Sequence, residues 1–214
     1  LSNTAMKWRV IPDLELFGRY NIANSENITA QIQEMYLEES TFGLSYRPHA
    51  HNKYRVLAKL ATRALVHPTY TGSFSGAYLT QAVSVEPVME LPFDLEWLDK
   101  LAYKSVQVQL TGVEEASGSY LLSINRINWK FLRSIKRMSS FDMPGDLNFG
   151  AEYRVLAGLG DEGIESGWLF ELQYAPITYF TLGLGYNFTS FSDDELDPGL
   201  NDRSGVYFRA VGYY

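Results

Sequence analysis

From Ser204 to Tyr214 the chain puts Val206, Phe208, Ala210, Gly212 and Tyr214 on one side of an extended segment, and Gly205, Tyr207, Arg209, Val211 and Tyr213 on the other. Successive side chains of a strand point to opposite faces, so one face is apolar and ends on an aromatic while the other carries a guanidinium. The same alternation returns through about eleven segments. A chain patterned in this way is committed to strands that meet different surroundings on their two faces.

Phe180, Leu182, Leu184, Tyr186 and Phe188 alternate with Thr181, Gly183, Gly185 and Asn187. Trp168, Phe170, Leu172 and Tyr174 alternate with Leu169, Glu171 and Gln173, and Phe149, Ala151, Tyr153 and Val155 with Asn148, Gly150, Glu152 and Arg154. Upstream, Tyr54, Val56, Ala58, Leu60 and Ala64 oppose Arg55, Lys59 and Arg63; Phe42, Leu44 and Tyr46 oppose Thr41, Gly43, Ser45 and Arg47; Leu14, Leu16, Tyr20 and Ile22 oppose Glu15, Arg19 and Asn21. Ala77 to Glu90, Tyr103 to Thr111 and Ser119 to Phe131 are less regular. Pro87 in the first predicts a bulge or strand end, and the third predicts a phase shift near Asn125.

On a soluble sandwich the polar face would be the outside and rich in Lys and Glu. Here Gly, Ser, Thr, Asn and Gln dominate it, which suits the crowded interior of a modest barrel, with aromatics near strand ends as interfacial girdles. The expected fold is an all-β, transmembrane, antiparallel up-and-down β-barrel filling a single domain from residue 1 to 214. No apolar run reaches the roughly 18 residues of a membrane-spanning helix. A barrel needs none, because alternation averages its hydropathy to a soluble-looking value such as the mean of −0.16 found here. An aromatic content of 14% fits the girdles. The absence of cysteine is compatible with an oxidising periplasm and with much else. A net charge of −7 argues against nucleic acid as a partner. Leu1 to Met6 lacks the basic start and apolar core of a signal peptide, so the expectation is a processed chain or part of a longer one.

With the C-terminus in the periplasm, parity assigns Phe191 to Arg203, Gly158 to Ser166, Gly112 to Gly118, His67 to Gly76 and Asn24 to Glu39 to outer loops. Ala175 to Thr178, Leu132 to Asp146, Leu91 to Asp99, Pro48 to Asn52 and Pro12-Asp13 become inner connections. Outer-membrane barrels have short inner turns, a rule that Leu132 to Asp146 breaks; with Arg133, Lys136 and Arg137 it reads as a small helix or plug at the periplasmic rim. Eleven traced strands start the first, near Ala5 to Ile11, outside the cell, and the even counts of bacterial barrels favour about 12.

The stretches Thr41 to Leu60, TFGLSYRPHAHNKYRVLAKL, and Leu182 to Asp197, LGLGYNFTSFSDDELD, together with Phe149 to Leu156, FGAEYRVL, resemble the C-terminal outer-membrane β-barrel region of large repeat-containing surface proteins of Gram-negative bacteria. The resemblance implies a barrel anchor in the outer membrane and brings no catalytic residues. The insertion Ser134 to Gly145 departs from the pattern, where a tight turn is expected.

Asp193, Asp194, Glu195, Asp197 and Asp202 crowd one outer loop, and Asp161, Glu162 and Glu165 form a smaller acidic group on the same side. Hard oxygen ligands at that density would suit Ca2+ or Mg2+, or lipopolysaccharide phosphates bridged by them; the spacing does not match a twelve-residue calcium loop, and a solvated acidic loop is the simpler reading. His49 and His51 stand two apart in an inner turn without nearby acids or thiols and read as turn residues beside Pro48. His67-Pro68 lies where an outer-membrane hydrolase would hold its histidine, but nothing assigns it a partner among Thr71, Ser73 and Ser75, so no enzymatic role is expected.

Arg19, Arg47, Arg55, Lys59, Arg63 and Arg154 point to the interior, with Glu15, Glu152 and Glu171 as countercharges. Such a ladder would set anion preference in a pore, or close a narrow barrel as a salt-bridged plug. The leading expectation is an outer-membrane anchor holding extracellular or complex-forming partners at the cell surface; the alternatives are a small porin-like channel and a soluble lipocalin-like barrel. No cofactor is expected. Expected contacts are outer-membrane lipid and lipopolysaccharide, and the barrel assembly machinery through Val206, Phe208, Ala210, Gly212 and Tyr214.

Overall fold

Pro12 and Asp13 make a turn that the chain repeats in other forms until it has built one sheet. The computed structural model describes residues 1–27, 32–49, 53–67, 76–110, 116–133, 145–160, 163–177, 179–191 and 204–212. Eleven strands follow in order: β1 (Ser2–Ile11), β2 (Leu14–Asn27), β3 (Ile32–Tyr46), β4 (Tyr54–His67), β5 (Gly76–Leu91), β6 (Leu95–Leu110), β7 (Ala116–Trp129), β8 (Asp146–Gly158), β9 (Ile164–Ile177), β10 (Phe180–Asn187) and β11 (Gly205–Gly212). Each pairs antiparallel with its sequence neighbour, so the protein is an all-β, up-and-down meander in a single sheet. Strands pair only with their sequence neighbours; β1 and β11 do not pair with each other. Among the described residues the helix is a single turn at 131–133.

Alternation survives the pairing because the register is unshifted from β3 through β9. One face carries the row Phe42, Leu60, Val83, Tyr103 and Leu121 across β3 to β7, all exposed. Trp129, Phe149, Leu172, Leu184 and Phe208 continue that face across β7 to β11 and are also exposed. The other face collects the small and charged side chains, among them the buried Thr80, Ala82, Ser84, Ala102, Glu152 and Glu171. Ala102, Leu122, Ile124 and Leu156 form an apolar cluster on that same polar face with Phe191, which lies beyond β10 in sequence. The sheet therefore curls toward its polar face, and the segment after β10 sets Phe191 against β6 to β8.

Several connections are shorter than the sequence suggests. Leu95 to Asp99 belongs to β6, and the turn from β5 is Pro92 to Asp94, with Phe93 and Asp94 at positive φ (65° and 58°). The expected outer loop between Asn24 and Glu39 is mostly strand, leaving 28–31 outside the described residues. β4 reaches His67, β7 begins at Ala116, β9 begins at Ile164 and β9 ends at Ile177. In each case backbone pairing extends past the last clear apolar alternation, since ladder hydrogen bonds do not depend on side-chain polarity. The expected phase shift at Asn125 does not occur: Asn125 stands in register between Asp99 and Tyr153 on the apolar face. Pro87 makes no bulge either. It sits within β5, where the pairs to β6 lapse between Val85 and Val88 without a change of register, because proline has no N–H to donate. The inner connection after β7 starts with the helical turn at 131–133, its Leu132 buried; 134–144 lie outside the described residues.

Candidate functional site

Among the described residues most of the close opposite charges are gathered on the polar face. Arg19, Arg55, Lys59, Arg63, Glu152, Arg154 and Glu171 all fall on it, as their cross-strand partners require, and Arg47, just past β3, borders a cavity there with Arg55 and Glu86. On β4, three cations at every second pair of positions each find an acid on a different strand. Arg63 pairs with Glu39 of β3 at 3.4 Å, Lys59 with Glu86 of β5 at 2.8 Å, and Arg55 reaches over β5 to Glu96 of β6 at 3.2 Å. Lys7 of β1 pairs with Glu15 of β2 at 2.9 Å.

A denser network lies across β7 to β11. Arg126 bonds Glu152 of β8 at 3.3 Å and Glu171 of β9 at 2.9 Å. Arg154 pairs with Glu152, and Arg209 of β11 brings its Nη2 within 2.9 Å of the Glu171 Oε1. Glu171 is only 1% exposed, and Glu152 and Arg154 are also buried. Burying charges costs several kcal/mol per ion unless each is compensated, and here the chain compensates Glu171 from both sides. These residues border a cavity of about 620 Å³ that also takes in Tyr207.

Phe191 closes part of the same face. Asn187 accepts bonds from the Thr189 N–H at 2.9 Å and the Thr189 hydroxyl at 2.5 Å, an Asx turn that bends the chain inward after β10. Thr189 and Phe191 are each 1% exposed. The sequence had put Phe191 at the start of an outer loop, because a single aromatic past the last alternating pair carries no directional signal.

The turn between β3 and β4 holds a second local arrangement. His49 takes Asp13 of the β1–β2 turn, its Nδ1 2.6 Å and its backbone nitrogen 2.8 Å from Oδ1, so an acid stands beside it after all. The Arg47 N–H donates to the Asp13 carbonyl at 2.8 Å. These bonds clamp two turns together at one end of the sheet, the job of a turn residue. His51, the His67 side chain, Asp161, Glu162, Asp193, Asp194, Glu195, Asp197, Asp202 and Tyr214 lie outside the described residues. Val206, Phe208, Ala210 and Gly212 share the apolar side of β11, as alternation predicts. Among the described residues no three acidic or histidine side chains come together as a metal site.

Sequence reasoning missed Glu39, Glu86, Glu96 and Arg126 as members of the charged face. The acids sat in stretches read as loops or as irregular, and Arg126 followed the supposed phase shift at Asn125. Unbroken period-two counting through those stretches is the signal that would have found them. Arg9, Arg19 and Arg47 make no ion pair among the described residues. Comparison of the chain with family models, with characterised proteins and with solved structures gave no match in any of the three.

Proposed function

We propose that this sheet is the wall of a transmembrane β-barrel in the outer membrane of a Gram-negative bacterium, and that it anchors extracellular or complex-forming partners at the cell surface. The observation that carries this reading is the exposed apolar face, which crosses the sheet in rows such as Phe42, Leu60, Val83, Tyr103 and Leu121. Soluble monomers rarely expose contiguous apolar patches beyond a few hundred Å². In hydrocarbon such a face is at home, provided the sheet closes and leaves no backbone group unpaired. All four tryptophans, Trp8, Trp97, Trp129 and Trp168, lie on that face.

What favours an anchor over a channel is the polar face. Its cations are largely cross-linked to acids of neighbouring strands, and Phe191 lies on it, so a closed barrel would have a filled interior rather than a continuous water path. The likeness to barrel anchors of repeat-containing surface proteins supports the same reading. Lipid and lipopolysaccharide then contact the apolar face, and the apolar side of β11 is the element offered to the barrel assembly machinery. Neither catalysis nor a cofactor enters this function. The small channel is the competing reading, favoured by Arg9, Arg19 and Arg47, which have no acid partner among the described residues.

Single-channel recording of the refolded protein in planar bilayers tests the choice. The expected result is silence from a heat-modifiable, protease-resistant barrel. Stable ohmic steps with anion preference, reduced by neutralising Arg55, Lys59 and Arg63, would instead establish the channel.

A further inference from the structure

The two edge strands carry an inference that follows from counting and direction. In an antiparallel meander of eleven strands the first and last run the same way, so β1 and β11 are parallel in sense. Joining them directly would require a parallel ladder in a sheet that is otherwise wholly antiparallel. One strand of the opposite sense, set between them, pairs antiparallel with both and brings the count to the even number of single-chain bacterial barrels. The edges are open for it: every residue of β1 is exposed, and no described strand lies beyond either β1 or β11.

We propose that the β1–β11 seam is a docking site for one β-strand of a partner polypeptide, antiparallel to both edges; this rests on the barrel reading above. Matching β1 and β11, the added strand spans about eight to ten residues. Its outward positions are apolar, continuing the face of Met6 and Trp8 on one side and Val206 and Phe208 on the other. Its inward positions are acidic. Lys7 and Arg9 stand on the polar side of β1, and with Arg47 they border a cavity of about 310 Å³ whose acids, Asp13 and Glu15, are already engaged with His49 and Lys7. Arg9 on the edge strand and Arg47 beside it in the same cavity have no acid among the described residues, so this end of the seam has cationic charge in excess. A second copy of this chain in the same membrane orientation does not fit: both of its edges run in the sense of β1 and β11 and would again pair parallel.

The chain has no cysteine, so crosslinks can be placed at will. The protein is folded into phosphatidylcholine vesicles, without and with the probe peptide, and first scored for a heat-modifiable, protease-resistant band. The probe is a ten-residue peptide in which Val and Leu alternate with Glu and Thr, carrying one central cysteine. Disulfide capture by Thr4→Cys and, separately, by Ala210→Cys is expected, at about tenfold the yield of a peptide with Lys in place of Glu. Ala210→Cys is also combined in turn with Ser2→Cys, Thr4→Cys, Met6→Cys and Trp8→Cys. Spontaneous closure of any of these pairs without peptide would overturn the proposal, since the edges would then meet directly. Capture by neither edge overturns it too, and equal capture of the lysine peptide overturns the acidic assignment. Absence of the protected band both without and with peptide defeats the barrel reading itself, whereas a band gained only with peptide is the result an open seam predicts.

Discussion

Arg126 of β7 donates to Glu171 of β9 at 2.9 Å by crossing over β8 at Gly150. A Cβ at Gly150 would stand 2.9 Å from the Arg126 Nη2, and one at Gly183 of β10 would stand 2.7 Å from the Glu171 Oε1, on the side from which Arg209 approaches. Gly150 and Gly183 are thus places where charged side chains lie flat across the polar face, and one geometry accounts for both.

Glu171→Gln removes the one carboxylate that neutralises both Arg126 and Arg209. Breaking a buried pair on one side costs about 3 to 5 kcal/mol, and because Arg126 keeps Glu152 and Arg209 is half exposed the loss of stability is expected at the low end, about 3 kcal/mol. Replacing both partners, Arg126→Met with Glu171→Leu, should cost less than the single change. Urea midpoints of the folded protein in lipid vesicles measure both.

Gly150→Val tests the role of the missing side chain. In the native background the branched side chain forces Arg126 off Glu171 and costs about 2 kcal/mol. Combined with Glu171→Gln the additional cost should fall below about 0.5 kcal/mol, because the pair it disrupts is already gone. Equal costs in the two backgrounds would mean that Gly150 matters for the backbone and not for the charge.

Phe191→Ala should destabilise the fold by about 3 to 5 kcal/mol, the usual cost of emptying an aromatic site. Phe191→Leu, which keeps most of the contact with Leu122, Ile124 and Leu156, should lose under half of that. If the interior is filled as argued, Phe191→Ala is also the substitution most apt to produce conductance in planar bilayers.

Tryptophan fluorescence reports on the apolar face alone, since all four tryptophans stand there. In vesicles the emission is expected to shift to shorter wavelength and to be quenched by lipids brominated on the acyl chain near the headgroup more than by those brominated near the chain end. Trp8, Trp97 and Trp129 all sit near strand ends on the side of the sheet that carries the Pro12–Asp13 and Pro92–Asp94 turns, where aromatic girdles form. Quenching by aqueous acrylamide with no effect of brominated lipid would contradict a membrane-facing surface.

Which face each side chain takes was legible in the chain itself, because alternation follows from backbone sterics that act residue by residue. On that ground Arg55, Lys59, Arg63, Arg154, Glu152 and Glu171 could be assigned to one face, and Phe149, Trp168, Phe170 and Phe208 to the other. Where alternation faded, as from Asn24 to Glu39 and from Leu91 to Asp99, strand was mistaken for loop, and the acids Glu39 and Glu96 were lost with it. Which cation meets which acid was a matter for the tertiary structure: Arg55 finds Glu96 two strands away, and Arg126 finds Glu171 over Gly150, through registers that depend on every turn before them. The inward bend that sets Phe191 on the polar face likewise needs the curl of the whole sheet. Alternation is a local property of the backbone, whereas register and curvature are sums over many strands, and only the folded chain carries out the sum.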